Sequence, residues 1–326
     1  MKAIICTKYG PPEVLRLTEV EKPTPNDNEI LVKIYASSVN PHDWRSMRAD
    51  PVLVRLMGGG FLKPKHKILG VDIAGQVEAV GRNVKQFQPG DEVFGGIDFG
   101  GFAEYACVTE DNLVLKPTSM KFEEAAAVPA AAISALQGLR DKGQIKSGQK
   151  VLINGASGGV GTFAVQIAKY FGGEVTGVCS TRNLDMVRSI GADHVIDYTE
   201  EDFTKSGQNY DLILALAGYH PISAYKRALS PRGIYVMVGG SNAQMFQSLL
   251  LGPWMSMTGS KKMVVLSAKP NKEDLIFIQE LLEAGKVVPV IDRRYPLSEV
   301  AEAIGYLEKG HAQGKVVITI EHDDKQ

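Results

Sequence analysis

The sequence predicts an α/β protein in which a doubly wound parallel sheet is inserted into a second, mostly β domain. Three observations predict it. A glycine turn lies between an apolar run and an amphipathic stretch at 150–173. Residues after it alternate strand-like and helix-like runs. The first 120 or so residues instead carry many short strand-like runs broken by turn residues.

In the first of these, Val151, Leu152 and Ile153 form a short apolar run suited to a fully buried parallel strand. Gly155-Ala156-Ser157-Gly158-Gly159-Val160-Gly161 follows, a turn with almost no side-chain bulk. Val160, Ala164, Ile167, Ala168 and Phe171 then recur at helical spacing, Gly172-Gly173 stops that helix, and Glu174–Val178 begins another strand. Strand, glycine turn, helix, strand is the context a dinucleotide-binding motif requires. Free N–H groups at the helix start attract a pyrophosphate, Gly158 and Gly159 let it approach, and Gly161 lets helix lie on strand. Alanine at 156 stands where the commonest version of this Rossmann fingerprint has its first glycine.

An NAD site places an acid about 20 residues on, for the ribose 2′-hydroxyl. Here that region reads Cys179-Ser180-Thr181-Arg182-Asn183, with no acid before Asp185. Hydroxyls and a guanidinium suit a 2′-phosphate, so NADPH is the expected coenzyme. The bland alternative is that Arg182 opens the next helix on its solvated face.

The second observation rests on strands Val175–Val178, His194–Ile196, Leu212–Leu216, Gly233–Val238 and Lys262–Leu266, with helix-like stretches between most of them. The third rests on Ala3–Cys6, Glu29–Ala36, Ile73–Val80, Asp91–Phe94 and Ala103–Val108, separated by Gly/Pro/Asn turns. Glu123–Lys142 reads as a helical connector that Pro129 kinks or divides. The tail reads as helix Glu273–Ala284, strand-like Val287–Asp292, helix Ser298–Lys309 and strand Lys315–Ile320. The domains are therefore expected at 1–123 with 267–326, and at 124–266.

Of the 326 residues 44% are hydrophobic and 22% charged, as in a soluble globular protein of about two domains. A net charge of −1 offers no electrostatic case for nucleic acid or an anionic membrane. Three scattered cysteines exclude a disulfide framework or a Cys-x-x-Cys metal lobe. The first residues read as a strand rather than a signal peptide, and no apolar run approaches membrane-spanning length. A cytoplasmic protein is expected.

The run Gly148-Gln149-x-x-Leu152-x-x-x-Ala156-Ser157-Gly158-Gly159-x-Gly161-x-x-x-x-Gln166-x-x-Lys169 resembles the signature of quinone oxidoreductases, the zeta-crystallin branch of the medium-chain dehydrogenase/reductase superfamily. Ser38-Val39-Asn40-Pro41-x-Asp43-Trp44, Gly70-x-Asp72-x-Ala74-Gly75, Gly191-Ala192-Asp193 and Gly310-His311-Ala312-x-Gly314-Lys315 extend the likeness along the whole chain. Lys269-Pro270, Gly285-Lys286-Val287 and Val290-Ile291-Asp292 are most similar to the plant chloroplast-envelope branch and its bacterial relatives. The resemblance implies a GroES-like β domain around the Rossmann domain, and a homodimer pairing through the strand near Lys262–Leu266.

The same resemblance sets up a zinc test. Alcohol dehydrogenases of this superfamily hold catalytic zinc with two cysteines and a histidine. Their first cysteine falls at Asn40, and their Gly-His-Glu becomes Gly70-Val71-Asp72, so no metal site is expected. His42, His66 and His311 have no cysteine partner in register and read as surface or packing residues. Hydride transfer then needs an acceptor that is already electrophilic, a quinone or an α,β-unsaturated carbonyl.

By resemblance Asn40 and Asp43 lie in a loop at the nicotinamide end of the cleft, as candidate catalytic residues. Asn40 would hydrogen-bond either the coenzyme ribose or the substrate oxygen, or merely shape an Asx-turn; Asp43 would bond local backbone or Arg45. Trp44 either stacks on substrate or belongs to the core. The resemblance further implies Ser134 near the nicotinamide and Tyr198 beside adenine and the 2′-phosphate. Lys315 is expected near the coenzyme or as a solvated edge-strand charge. The strand ends Leu216-Ala217-Gly218 and Gly239-Gly240-Ser241 are also expected at the dinucleotide. Two apolar stretches, Pro51–Phe61 and Met245–Met255, are candidates for a hydrophobic substrate wall, the second alternatively for core or a dimer contact. Two other functions stay open: a zinc-dependent alcohol or ketone oxidoreductase, and a non-catalytic NADPH-binding protein of crystallin-like, RNA-binding or membrane-surface type.

Overall fold

A computed structural model describes residues 1–51, 60–217, 219–257 and 259–322. The chain divides into two units, one of Met1–Ala130, Pro270–Glu283 and Pro289–Gln326, the other of Ala131–Lys269 and Ala284–Val288.

The first unit begins with an antiparallel pair, β1 (Lys2–Cys6) and β2 (Leu15–Glu19). The long β3 (Glu29–Val39) runs into helix α1 (Pro41–Arg48), and β4 (Asp72–Val80), β5 (Glu92–Gly96), β6 (Tyr105–Thr109), β7 (Leu113–Leu115) and α2 (Phe122–Ala126) follow. α1 falls where the sequence suggested a loop. Its start is written in Asn40-Pro41-x-Asp43: a capping residue, proline at the first helical position and an acid at the third.

The second unit takes in α3 (Pro129–Leu136, its first two residues in the first unit), β8 (Lys150–Asn154), α4 (Gly159–Tyr170), β9 (Glu174–Cys179), α5 (Leu184–Ser189), β10 (His194–Asp197), β11 (Tyr210–Ala215), α6 (Ile222–Ala228), β12 (Leu229–Met237), α7 (Asn242–Met257) and β13 (Lys262–Val265). Pro129 divides the connector, and a π-helical turn, Gln137–Lys142, ends it. The six strands form one parallel sheet in the order β10-β9-β8-β11-β12-β13. All their carboxyl ends therefore lie on one edge. Leu152, Val178, Ile213, Tyr225 and Tyr235 fill the core, which is why β8 is apolar without alternation.

α8 (Lys272–Glu283), β14 (Ile291–Pro296), α9 (Val300–Glu308) and β15 (Lys315–Thr319) complete the first unit. Its seven-stranded sheet runs β14-β15-β3-β4-β5-β7, with β6 also pairing β3. Ile30, Ile34, Ile73, Phe102, Ile304 and Ile318 form its core. The strand-like stretch at 287–292 splits. Val287 is buried and Val288 donates its N–H to Gln166 Oε1 at 2.8 Å within the second unit, whereas the strand itself begins only at Ile291.

Candidate functional site

Along the carboxyl edge of the parallel sheet, the turn after β8 is closed by main-chain bonds. Gly155 and Ala156 donate to Val178 O at 3.1 and 3.0 Å, and Gly158 donates to Gly155 O at 3.2 Å. Gly155, with φ +95°, takes the tight bend. Gly177 of β9 faces Ala156: a Cβ at Gly177 would meet Val187 Cγ1 at 2.6 Å and the Ala156 methyl at 3.0 Å. At Gly161 a Cβ would overlap Gly155 O and sit 2.7 Å from the Ala156 carbonyl carbon, so the helix can approach only as glycine. α4 starts with no side-chain cap, and the first bond into it is Thr162 N–H to Gly158 O at 2.9 Å. The N–H groups of Gly159, Val160 and Gly161 precede that first bond and have no intrahelical acceptor. They make the anion-binding end of the site, and the residues present fit a dinucleotide pyrophosphate.

The neighbouring strand ends bring the other expected residues to the same edge. Leu216 and Ala217 both donate to Asn154 O, at 3.0 and 3.1 Å, and Gly239 donates to Ala215 O at 3.1 Å. A Cβ at Gly239 would overlap Leu216 O. Gly240 has φ +146°, and Ser241 Oγ accepts from Gln244 N–H at 3.2 Å to start α7. Gly218 lies outside the described residues. After β9, Ser180 leads into the turn Thr181–Asn183, in which Arg182 is exposed. Tyr198 is 60% exposed, and its N–H bonds Cys179 O at 3.1 Å. Asp197 pairs in register with Cys179, and hydrogen bonds from Thr181 and Thr199 hold its carboxyl below the usual range. Ser134 is half-buried on α3. Asn183 was not singled out in the sequence. It is buried, and it donates to both Ser157 Oγ and Ser180 Oγ.

A second constellation lies in the first unit, where β3, β4 and β15 meet α1. Ser38, Asn40, Asp43, Asp72 and Lys315 are all buried. Asp72 Oδ1 accepts from Ala130 N–H at 2.9 Å. Its Oδ2 accepts from Ser38 Oγ and Asn40 Nδ2, both at 2.8 Å, with Lys315 Nζ 3.5 Å away. Lys315 Nζ donates to Asn40 Oδ1 at 2.7 Å and to Val39 O at 3.5 Å. Burial pulls the Lys315 pKa down, and Asp72 and Asp43 push it back up.

These contacts decide between earlier alternatives. β15 lies between β14 and β3, so the solvated edge-strand reading of Lys315 is overturned. Asp43 is a brace: its Oδ2 accepts Asn40 N–H at 2.7 Å and its Oδ1 accepts Gly70 N–H at 3.0 Å. Burial pushes its pKa up to about 7 against those two donors. Both Asn40 Nδ2 hydrogens are engaged, with Ser38 O (3.2 Å) and Asp72 Oδ2, and one Oδ1 lone pair holds Lys315. Asn40 can therefore accept one more hydrogen bond and donate none. That suits a ribose hydroxyl and not a substrate carbonyl. Trp44 packs partly buried against the core.

The remaining expectations fall as follows. His66 stacks on Phe99 at 4.1 Å with His42 on the same ring at 5.4 Å, and His311 is exposed. Among the described residues no group of three His, Cys, Asp or Glu side chains converges as metal ligands. Residues 52–59 of the first substrate-wall stretch lie outside the described residues. In the second, Gln244, Ser248, Gly252 and Met255 are buried, while Phe246, Leu249, Leu250, Leu251 and Trp254 are exposed, so α7 is not plain core.

Comparison with known proteins places this geometry. Residues 26–118 match the alcohol dehydrogenase GroES-like domain and 190–318 the zinc-binding dehydrogenase family. The chloroplast envelope quinone oxidoreductase homolog of Arabidopsis thaliana is 36% identical across 98% of both chains. The chain belongs to the quinone oxidoreductase family of the medium-chain dehydrogenase/reductase superfamily. The family's members are NAD(P)H-dependent oxidoreductases, and its GroES-like and Rossmann parts are the two units described above. The 2-methylene-furan-3-one reductase of Solanum lycopersicum is 36% identical over 98% of this chain and 79% of its own. Among solved structures, the quinone oxidoreductase of Coxiella burnetii superposes with TM-score 0.87 at 30% identity over 98% and 99% of the two chains. The Escherichia coli quinone oxidoreductase complexed with NADPH, at 24% identity and TM-score 0.83 over 98% and 100%, shares the fold. Among the described residues no helix is long and apolar enough to cross a membrane.

Proposed function

We propose that this chain is an NADPH-dependent, zinc-independent reductase of quinones and α,β-unsaturated carbonyls, including long-chain oxidised-lipid enones, and that it works as a homodimer. The observation that carries this reading is the donor chemistry of the buried cluster. Where zinc-dependent relatives are expected to hold a cysteine and a histidine this chain has Asn40 and Val71. Valine has no lone pair, and Asn40 and the adjoining Asp72 turn their oxygens to an ammonium and a hydroxyl. An amide oxygen already held by Lys315 and a carboxylate already accepting three donors have little left for a divalent ion.

NADPH, when bound, supplies a hydride. The residues of this chain hold and orient it: the first turn of α4 takes the pyrophosphate, and Ser180 and Arg182 take the 2′-phosphate. Asn40 accepts from the ribose, with its amide orientation fixed by Lys315. With no Lewis acid to polarise an alcohol or ketone, the acceptor has to carry its own electrophilic carbon, and water serves as the proton donor. The α7 face, beside the open edge strand β13, supports association with a second copy. Three unpaired cysteines fit a reducing compartment, and the cytoplasm is our assignment.

The test is NADPH oxidation across 1,4-quinones, short enals and long-chain enones, repeated with NADH and alongside elemental analysis of the protein. Turnover of enones or quinones by metal-free protein supports the reading. Stoichiometric zinc with turnover of a simple alcohol sinks it.

A further inference from the structure

Asn183 links two parts of the coenzyme site that are far apart in sequence. It ends the short turn after β9 and is buried, and its N–H is anchored on Ser180 O at 2.9 Å. Its Nδ2 donates at 3.1 Å to Ser157 Oγ, in the glycine turn, and at 3.1 Å to Ser180 Oγ, at the end of β9. The other end of the same amide, Oδ1, is buried and has no hydrogen-bond partner among the described residues.

The direction of these bonds has a chemical consequence. A hydroxyl has one hydrogen and two lone pairs. Because each serine oxygen receives a hydrogen from Asn183, its own hydrogen points elsewhere, and each serine is set as a donor. Were the amide reversed, both hydroxyls would donate to its oxygen and present only lone pairs outward, which repel an anion. Turning the amide over would not relieve the unpartnered end, because it would bury two Nδ2 hydrogens without acceptors in place of one oxygen. The orientation that leaves both serines as donors is therefore the cheaper one.

We propose that Asn183 is a positioning residue for the coenzyme, fixing Ser157 and Ser180 as paired donors to a phosphorylated dinucleotide. Ser157 serves the pyrophosphate turn, and Ser180 the 2′-phosphate. This rests on the NADPH reading above, and it adds the residue that sets the polarity of the site.

The experiment is a double-mutant cycle on coenzyme affinity, read by titrating NADPH and NADH against intact protein without acceptor. Ser180→Ala is expected to weaken NADPH about tenfold and NADH little, the loss of one charge-assisted bond. Asn183→Asp keeps the shape but accepts from the serines, and is expected to weaken NADPH by at least about tenfold. In that background Ser180→Ala should then change NADPH affinity by less than about twofold, because the donor is already lost. Asn183→Ala, which adds no charge but leaves the Ser180 hydroxyl free to rotate, is used if the aspartate variant does not fold, as judged by thermal melting. There Ser180→Ala should cost less than in the parent, because a donor that is not fixed contributes less. Losses that multiply independently, or an NADPH affinity in both Asn183 variants within about twofold of the parent, overturn the proposal. Since no acceptor is used, an intact cycle with no turnover of any quinone or enone would count against the reductase reading alone.

Discussion

At the residue scale the decisive group is Lys315. Its ammonium is buried and, among the described residues, it is the cation that faces both Asn40 and Asp72. Lys315→Met would leave Asp72 without its counter-charge and Asn40 Oδ1 without its donor. Removing one partner of a buried pair costs about 3 kcal/mol or more, so urea unfolding should show a loss of that order. Asp43 gives a pH signature. Its folded pKa of about 7 lies above the usual carboxylate value, so between those limits the folded chain holds a proton that the unfolded chain has released. Stability should therefore fall as pH rises through that window and level off above it. Asp43→Asn should flatten the slope and lower stability throughout by about 1–3 kcal/mol, because one of the Asn40 and Gly70 N–H groups loses its acceptor. Arg182→Ala should weaken NADPH about tenfold or more while leaving NADH nearly unchanged. Equal losses for the two coenzymes in a binding titration would remove its assigned role.

At the element scale the glycine turn makes the sharpest expectation. Gly161→Ala places a methyl on Gly155 O, and neither main-chain segment can yield without moving β8 or α4. Overpacking of this kind costs about 1–3 kcal/mol, and the displaced first turn should also lose coenzyme. Melting temperature and an NADPH titration read the two effects separately. Much of this element was legible from residues alone: an apolar run, a turn of small residues and a 3.6-residue apolar period have few other solutions. The approach of the Ala156 methyl to Gly177 was not legible, because it sets the turn after β8 against the neighbouring strand β9. α1 was written in Asn40-Pro41-x-Asp43, yet the same residues also spell a turn, and only the packed structure chooses. The strand-like 287–292 stretch misled for a related reason. Its apolar residues satisfy two different units, and periodicity cannot say which partner each one finds.

At the scale of the whole molecule, the buried cluster shows why chemistry was harder to read than fold. Ser38, Asn40, Asp72 and Lys315 are scattered along the chain, Asn40 and Lys315 275 residues apart, and each alone looks like a turn residue or a strand-end charge. Their meaning appears only when the sheet order β15-β3-β4 sets them side by side. The same sheet logic leaves β13 as an open edge of the parallel sheet, with α7 beside it. Between Ser241 and Ser260 no residue is charged, and Phe246, Leu249, Leu250, Trp254 and Met257 are exposed. Apolar side chains gathered on one helix carry a standing hydration cost that a second copy would relieve. Sedimentation should therefore report a particle of twice 35.3 kDa. Trp254→Glu introduces a charge at that face and should shift the particle toward the monomer mass, with melting of the isolated chain little changed because Trp254 is 65% exposed. A wild-type particle of monomer mass would leave the α7 face to another partner, and the homodimer would be withdrawn.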